Sequence, residues 1–258
     1  MLEVLEDPFL KKIEIVGHGF FTREGGVSLG VHGSLNCAYP TSDNSDNVRE
    51  NRRLAMSYFG YPLESLASVR NVHGNTVVVV DKLWDENQKP LADGMVTKKA
   101  GIILGSDSAD CPIVLFADEQ AKVIGLAHAG WRGAIKGVIE ATVEQMVSIG
   151  ATHEHISAAI SPCIAQNSYE VSLEFFEQFI DQDVGNKSYF TNSTKANHFL
   201  FDLLGYVKNR LYRVNVKVVS SEVAFDTYSD ERRFYSCRRA THRAEKCFGG
   251  QLSCIYLK

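Results

Sequence analysis

The chain has 258 residues, 45% of them hydrophobic and 22% charged, with a formal net charge of −4. That length holds one large domain or two small ones, and the composition is that of a soluble globular protein. The mild acidity argues against a nucleic-acid partner, which calls for a basic face, and no apolar run reaches the ~18–20 residues that span a bilayer.

Residues 1–12 carry acids where a secretory signal needs a basic region, so a cytoplasmic protein is expected. Residues 13–21 read as a strand in which Gly17 and Gly19 leave little bulk around His18. Residues 21–36 are rich in Gly and Ser and predict a turn and a long loop holding Arg23, His32 and Asn36. Loops on a rigid scaffold often carry binding groups. Val48, Asn51, Leu54, Ala55 and Tyr58 recur at near-helical spacing and predict a helix over 47–59, stopped by Gly60. Residues 68–71 enter a strand, His73 sits at its end, and the β-branched run 76–81 predicts another strand. Residues 85–90 are a polar loop, Ala92-Asp93-Gly94 marks a turn, and 101–105 is a short strand.

Two apolar runs, 110–117 and 121–127, flank a polar break and predict a β-hairpin. With a two-residue loop at Glu119-Gln120, Asp118 faces Ala121 and Cys111 falls opposite His128. Directly opposed residues share a face, with Cβ atoms ~4.5–5.5 Å apart, so thiol and imidazole could share a metal ion or a proton. A one-residue error in the loop would put them on opposite faces. Asp110 then points away from Cys111, which suits a structural role. Beyond Gly133, Ile135, Val138, Ile139, Val143 and Met146 predict one amphipathic helix closed by Gly150. A strand over 156–160, a helix over 169–180, a polar surface loop over 182–198, a helix over 199–212 and strands over 214–220 and 252–256 follow. The pattern predicts one α/β domain over 1–258, with mixed or antiparallel sheet because of the hairpins.

Cys111 and His128, joined by His73 if the fold brings it there, make a His₂Cys set. Three N/S ligands with an open fourth position are what a catalytic zinc needs; zinc would hold Cys111 as thiolate and bring the pKa of a water toward ~7. Without metal, Cys111 and His128 would be the nucleophile and base of an acyl-transfer hydrolase. The plain alternative is a buried thiol in a buried hairpin. Gly130-Trp131-Arg132-Gly133 opens a helix whose free N–H groups, with Arg132, suit a phosphate or carboxylate. Otherwise Arg132 pairs with a carboxylate and Trp131 fills the core. Arg238-Arg239 reads as a solvated pair and His153-Glu154-His155 as a surface turn. The six cysteines include no Cys-x-x-Cys and are expected to be mostly reduced. The zinc base-deaminase signature is absent.

Several motifs stand in one order along nearly the whole chain. They are FTREGGVSLG over 21–30 with Ser34-Leu35-Asn36, Val72-His73-Gly74, Ala92-Asp93-Gly94, ADCPIVLF over 109–116 and HAGWRG over 128–133. SPCI over 161–164, Tyr169-Glu170-Val171 and FYSCRR over 234–239 complete the set. In these the chain resembles the YfiH-like family, first described as polyphenol oxidase or laccase-domain proteins. The resemblance implies α/β/β/α layers with mixed sheets, similar to cytotoxic-necrotising-factor-like cysteine hydrolases. It implies a zinc site on His73, Cys111 and His128, which are also the catalytic residues; Asn36, Arg132 and Arg23 are the expected substrate contacts. It implies phosphorolysis of adenosine, inosine and methylthioadenosine and deamination of adenosine, with a purine nucleoside and phosphate as partners and neither nucleic acid nor membrane. Some bacterial members are linked instead to editing of peptidoglycan precursors. Asn71, Ser106-Asp107-Ser108 and Cys237 depart from the family pattern and bear on substrate preference. The laccase label meets a physical objection. Mononuclear and trinuclear copper centres draw mostly on paired His motifs, and this chain has eight His with one His-x-His. Cu²⁺ is expected only as an adventitious substitute for Zn²⁺ at the His₂Cys set.

Overall fold

The structure is a computed structural model and describes residues 1–39 and 41–258. Its centre is the hairpin. Along Ile113–Asp118, Ile113, Leu115 and Ala117 face one core while Val114 and Phe116 face another. Val123–His128 repeats the alternation, with Ile124 and Leu126 on one side and Val123 and Ala127 on the other. A strand with both faces apolar belongs in the middle of a sheet covered on both sides.

That sheet has six strands, in the order Val218–Ser220, Ser157–Ile160, Ile113–Asp118, Val123–His128, Gly94–Thr97, Val77–Val79. Its two outer pairs are parallel and its inner pairs antiparallel. A second sheet of five strands runs Val4–Leu5, Val16–Phe21, Gln251–Leu257, Ile103–Ser108, Leu66–Ala67. Ile255, Leu104 and Phe20 from it share one core with Leu115, Ile124 and Leu126, so the two sheets pack face to face. Helices Val138–Ser148 and Leu203–Arg213 cover the outer face of the larger sheet. Helix Ser45–Tyr58, capped by the Asn44 side chain, covers the outer face of the smaller one through Ala55 and Met56. The layers are therefore helix, sheet, sheet, helix. A three-stranded sheet of Glu170–Ser172, His198–Phe201 and Phe190–Asn192 is hydrogen-bonded to neither, and its Val171, Phe190 and Phe201 join the core on the outer face of the larger sheet.

Several expectations need correction. The hairpin pairs Ile113 with His128 and Asp118 with Val123, so Asp118 does not face Ala121 and the connection is Glu119 to Lys122. Asp118 builds this wider turn: its Oδ1 accepts from the Ala121 amide at 3.0 Å, and Lys122 has φ of 54°. Cys111 lies before the strand rather than opposite His128. The register slipped by two residues, which returns every side chain to the same face.

The helix expected over 135–150 is two, Trp131–Lys136 and Val138–Ser148, because Gly137 between them has φ of +90°. Residues 169–180 and 199–212 each begin as strand before their helices, Leu173–Gln182 and Leu203–Arg213. Phe190–Asn192, expected in a surface loop, pairs with His198–Phe201. The rings of Phe190, Phe199 and Phe201 pack on Phe176 and Phe179 of the Leu173–Gln182 helix, and this tertiary contact overrides local propensity. Ala92-Asp93-Gly94 is a turn only to Asp93; Gly94 opens the strand Gly94–Thr97.

Candidate metal centre

Three backbone segments meet at the end of the hairpin. His128 ends one strand, Cys111 precedes its neighbour, and His73 stands in the turn before Val77–Val79. Their ligand atoms all lie within 4.8 Å of one another, and the His73 and His128 rings meet edge to face at 4.9 Å. Among the described residues this is the one such group of His, Cys, Asp and Glu.

Asp93 organises it. Fully buried, it accepts from the amides of Val72, His73 and Gly74 at 3.2, 3.0 and 2.7 Å. Its Oδ1 also lies 3.0 Å from His128 Nδ1. One carboxylate thus sets the turn that carries His73 and turns the other ring nitrogen of His128 toward Cys111. Carboxylates behind ligating histidines commonly play this part. His73 has φ of 54° and Asp110 of 85°, both in the left-handed region that non-glycine residues rarely enter. The His73 turn is also tied to the Trp131–Lys136 helix, where Asn75 Nδ2 donates to the Lys136 carbonyl at 2.9 Å. A Cβ on Gly130 would stand 2.6 Å from Cys111 Sγ and 3.3 Å from His73 Cδ2, so only glycine leaves room beside the group.

Charge in the site is shared. Burial pushes the Cys111 thiol up, but His128 and His73 outweigh it and bring it down to about 7. Burial pushes His128 down, but Cys111 and Asp93 outweigh that and raise it to about 10. Burial raises Asp93, and bonds from His128 and the Gly74 amide outweigh it, so it lies below its ordinary value. Each group thus favours the charged form of the other.

The group opens into a cavity of about 600 Å³, whose walls include Trp131, Tyr169, Arg132, Arg238, Asn71 and Ser108. Arg132 is exposed and stacks over the Trp131 ring at 4.5 Å. Arg238 stacks over Tyr169 at 4.9 Å and donates to the Glu170 carbonyl at 2.5 Å.

Of the expected substrate contacts, Arg132 alone lines this cavity. Asn36 is fully buried; its Oδ1 accepts from the Ala38 and Gly250 amides at 3.0 and 2.9 Å, and its Nδ2 donates to Asp43 at 2.9 Å. It pins a loop. Arg23 donates to the Gly33 carbonyl at 2.7 Å and stacks on Tyr235 at 4.4 Å, beside a different cavity. Asp110 is structural, accepting from Thr227 Oγ1 and the Arg238 amide, both at 2.7 Å. The arginine pair is not a solvated one. Arg239 is buried and donates to the carbonyls of Thr227, Tyr228 and Phe234, while Arg238 faces the cavity. His153 Nδ1 lies 3.1 Å from the Val214 carbonyl, outside the metal group. The sequence reading missed Asp93 as a site residue; its one signal was an acid placed before the glycine of a turn.

Fold and site together define a mixed α/β protein with a cluster of two imidazoles and a thiol, able to hold a metal ion, at the end of a central hairpin. A family model described as multi-copper polyphenol oxidoreductase laccase matches residues 17–258. The chain belongs to that family, the YfiH-like family its motifs resemble. It is 37% identical over 217 residues to a purine nucleoside phosphorylase of Rickettsia conorii, covering 84% of this chain and 88% of that one. It is 33% identical over 187 residues to an adenosine deaminase of an unknown prokaryotic organism, covering 69% of this chain and 71% of that one. The crystal structure of the Bacillus licheniformis hypothetical protein YfiH superposes with a TM-score of 0.85 at 23% identity, covering 96% of this chain and 95% of that one, and shows the same fold. No helix is long and apolar enough to cross a membrane, among the described residues.

Proposed function

We propose that this chain is a zinc enzyme of purine nucleosides, acting by phosphorolysis on adenosine, inosine and methylthioadenosine and by deamination on adenosine. The observation that carries the reading is the His73, Cys111, His128 group opening onto a cavity with aromatic and cationic walls. The names of the relatives in Rickettsia conorii and the unknown prokaryote supply the substrate class. The donor set fits zinc: two imidazoles and a soft thiol within 4.8 Å, with one imidazole held from behind by Asp93. The chemistry a bound zinc supplies is Lewis acidity, which brings the pKa of a water toward ~7.

The remaining work falls to the chain's own groups. Trp131, Tyr169 and Phe248 offer faces to a purine ring. Arg132 and Arg238 offer guanidinium forks to a phosphate, at a wall where such a fork binds two oxygens at once. Asp93 holds the His128 Nδ1 proton and so fixes which nitrogen faces the site. The chain acts as one domain over residues 1–258; support comes from its last strand, which pairs with both Val16–Phe21 and Ile103–Ser108.

The test is incubation of purified protein with adenosine, with and without phosphate. Adenine formed only with phosphate, together with inosine formed in either case, is the expected result. A zinc-loaded protein that releases no product from any purine nucleoside overturns the reading. A second reading, a Cys–His hydrolase acting on a peptidoglycan precursor, is favoured by the Cys111 thiol lying at about 7 beside His128. It also accounts for the expected likeness to cytotoxic-necrotising-factor-like cysteine hydrolases. Turnover that survives complete removal of metal and stops on alkylation of Cys111 would select it.

A further inference from the structure

Tyr169 keeps a hydroxyl that the fold does not use. Its ring packs at an angle on Phe175 and Phe201, with centroids 6.0 and 5.9 Å away, and Arg238 covers one face at 4.9 Å. A phenylalanine would make the same contacts. The two fully packed tyrosines spend their hydroxyls inside the protein: Tyr235 donates to the His32 carbonyl at 2.6 Å, and Tyr206 accepts from Arg210 at 3.3 Å. The Tyr169 hydroxyl has no hydrogen-bond partner among the described residues. Its oxygen is not one of the sealed polar atoms that lack a partner, so it is open to whatever enters the cavity that the residue lines.

The charges around it show where it stands. Burial raises its pKa, the charge of Cys111 adds to the rise, and Arg238 and Arg132 oppose it. All three line the same cavity as Tyr169. The hydroxyl is therefore inside the field of the metal group, and it stays protonated as a hydrogen-bond donor. Phe175 also carries the Trp131 ring, 4.6 Å between centroids, so Trp131 and Tyr169 are neighbours on one wall. A flat ring laid on Trp131 has its edge toward that hydroxyl.

The reaction calls for such a donor. In phosphorolysis a phosphate oxygen bonds to the anomeric carbon, and the bond from that carbon to purine N9 breaks. The electron pair passes into the purine, and the proton that phosphate gives up ends on the base. Until it arrives, negative charge collects on the ring nitrogens. A neutral donor fixed at the ring edge stabilises that charge more than it stabilises the bound nucleoside.

We infer that Tyr169 is a further catalytic residue, whose hydroxyl donates to a purine ring nitrogen and stabilises the leaving base. The inference rests on the purine nucleoside reading and assigns one step within it.

The test compares the zinc-loaded parent with Tyr169→Phe on inosine and on 7-methylinosine, each with phosphate. 7-Methylinosine already carries a positive charge on its imidazole ring, so its base leaves without collecting negative charge there. Tyr169→Phe is expected to lower kcat on inosine about 100-fold, the scale of one donor aimed at developing charge, with KM changed less than about threefold. On 7-methylinosine it should match the parent. Its thermal midpoint and zinc content should equal the parent's, because no hydrogen bond within the protein is lost. Equal kcat on inosine overturns the inference. So does an equal loss on both substrates, which would give the hydroxyl a part in folding or binding. In both cases the parent's own turnover leaves the purine nucleoside reading standing. If the parent accepts inosine alone, the split between kcat and KM on inosine decides. A parent that turns over neither nucleoside overturns both.

Discussion

A methyl group on residue 130 would press on the Cys111 sulfur at 2.6 Å and on the His73 ring at 3.3 Å, so any side chain there pushes two of the three donors out of place. Gly130→Ala is therefore expected to lower zinc affinity by about 10–100-fold, the usual scale for a displaced supporting contact, with little change in thermal midpoint. In the same metal analysis, Cys111→Ser, His73→Ala and His128→Ala should each lose most bound zinc and most activity. Cys163→Ser and His153→Ala should keep both, because neither residue belongs to the donor group. Full zinc in Cys111→Ser would refute the ligand assignment and leave Cys111 as a metal-free nucleophile.

At the scale of elements, the strand Val16–Phe21 carries a titrating lock. His18 Nε2 accepts from the Asp7 amide at 2.8 Å, so the folded chain needs its imidazole neutral. Burial lowers its pKa and outweighs Asp7 and Glu6, which raise it; Lys11 and Lys258 lower it further. The unfolded chain titrates near ~6.5. Between the folded value and ~6.5 the unfolded state binds the extra proton, so stability rises as pH rises there and falls as pH falls. This contribution is complete above ~6.5 and is lost as pH drops through the folded pKa. The thermal midpoint should fall between pH 7 and 5, and less steeply in His18→Gln, whose amide oxygen accepts from Asp7 without titrating. Parallel curves for parent and variant would mean that other groups set the slope. The hairpin shows a different property of an element: the register expected for it was two residues out, which leaves the faces of its strands unchanged, and Cys111, just before the strand, still lies with His128.

For the whole molecule, the last strand is the middle of the smaller sheet. Gln251–Leu257 pairs on one edge with Val16–Phe21 and on the other with Ile103–Ser108. It buries Leu252 and Ile255 fully and Leu257 at 5% exposure. Three such side chains are worth about 5–9 kcal/mol, against about 5–15 kcal/mol for a whole domain. Ending the chain at Gly250 should therefore abolish soluble expression, since it also leaves two open strand edges. A soluble truncated chain with a cooperative unfolding transition would show that the sheet closes without its centre.

What the sequence determined by itself was local and periodic. The apolar runs over 110–117 and 121–127 around a polar break specified a hairpin, the spacing from Val48 to Tyr58 a helix, and both survive in the structure. The nearness of Cys111 to His128 was legible because it spans one hairpin. The place of Asp93 behind His128 and of Arg238 at the cavity was not legible, nor was the placement of Asn36 and Arg23 away from it. These depend on which strands become neighbours and where the two sheets end. Strand order is decided by packing among segments far apart in the chain, and a pattern that repeats every two or four residues carries no record of it.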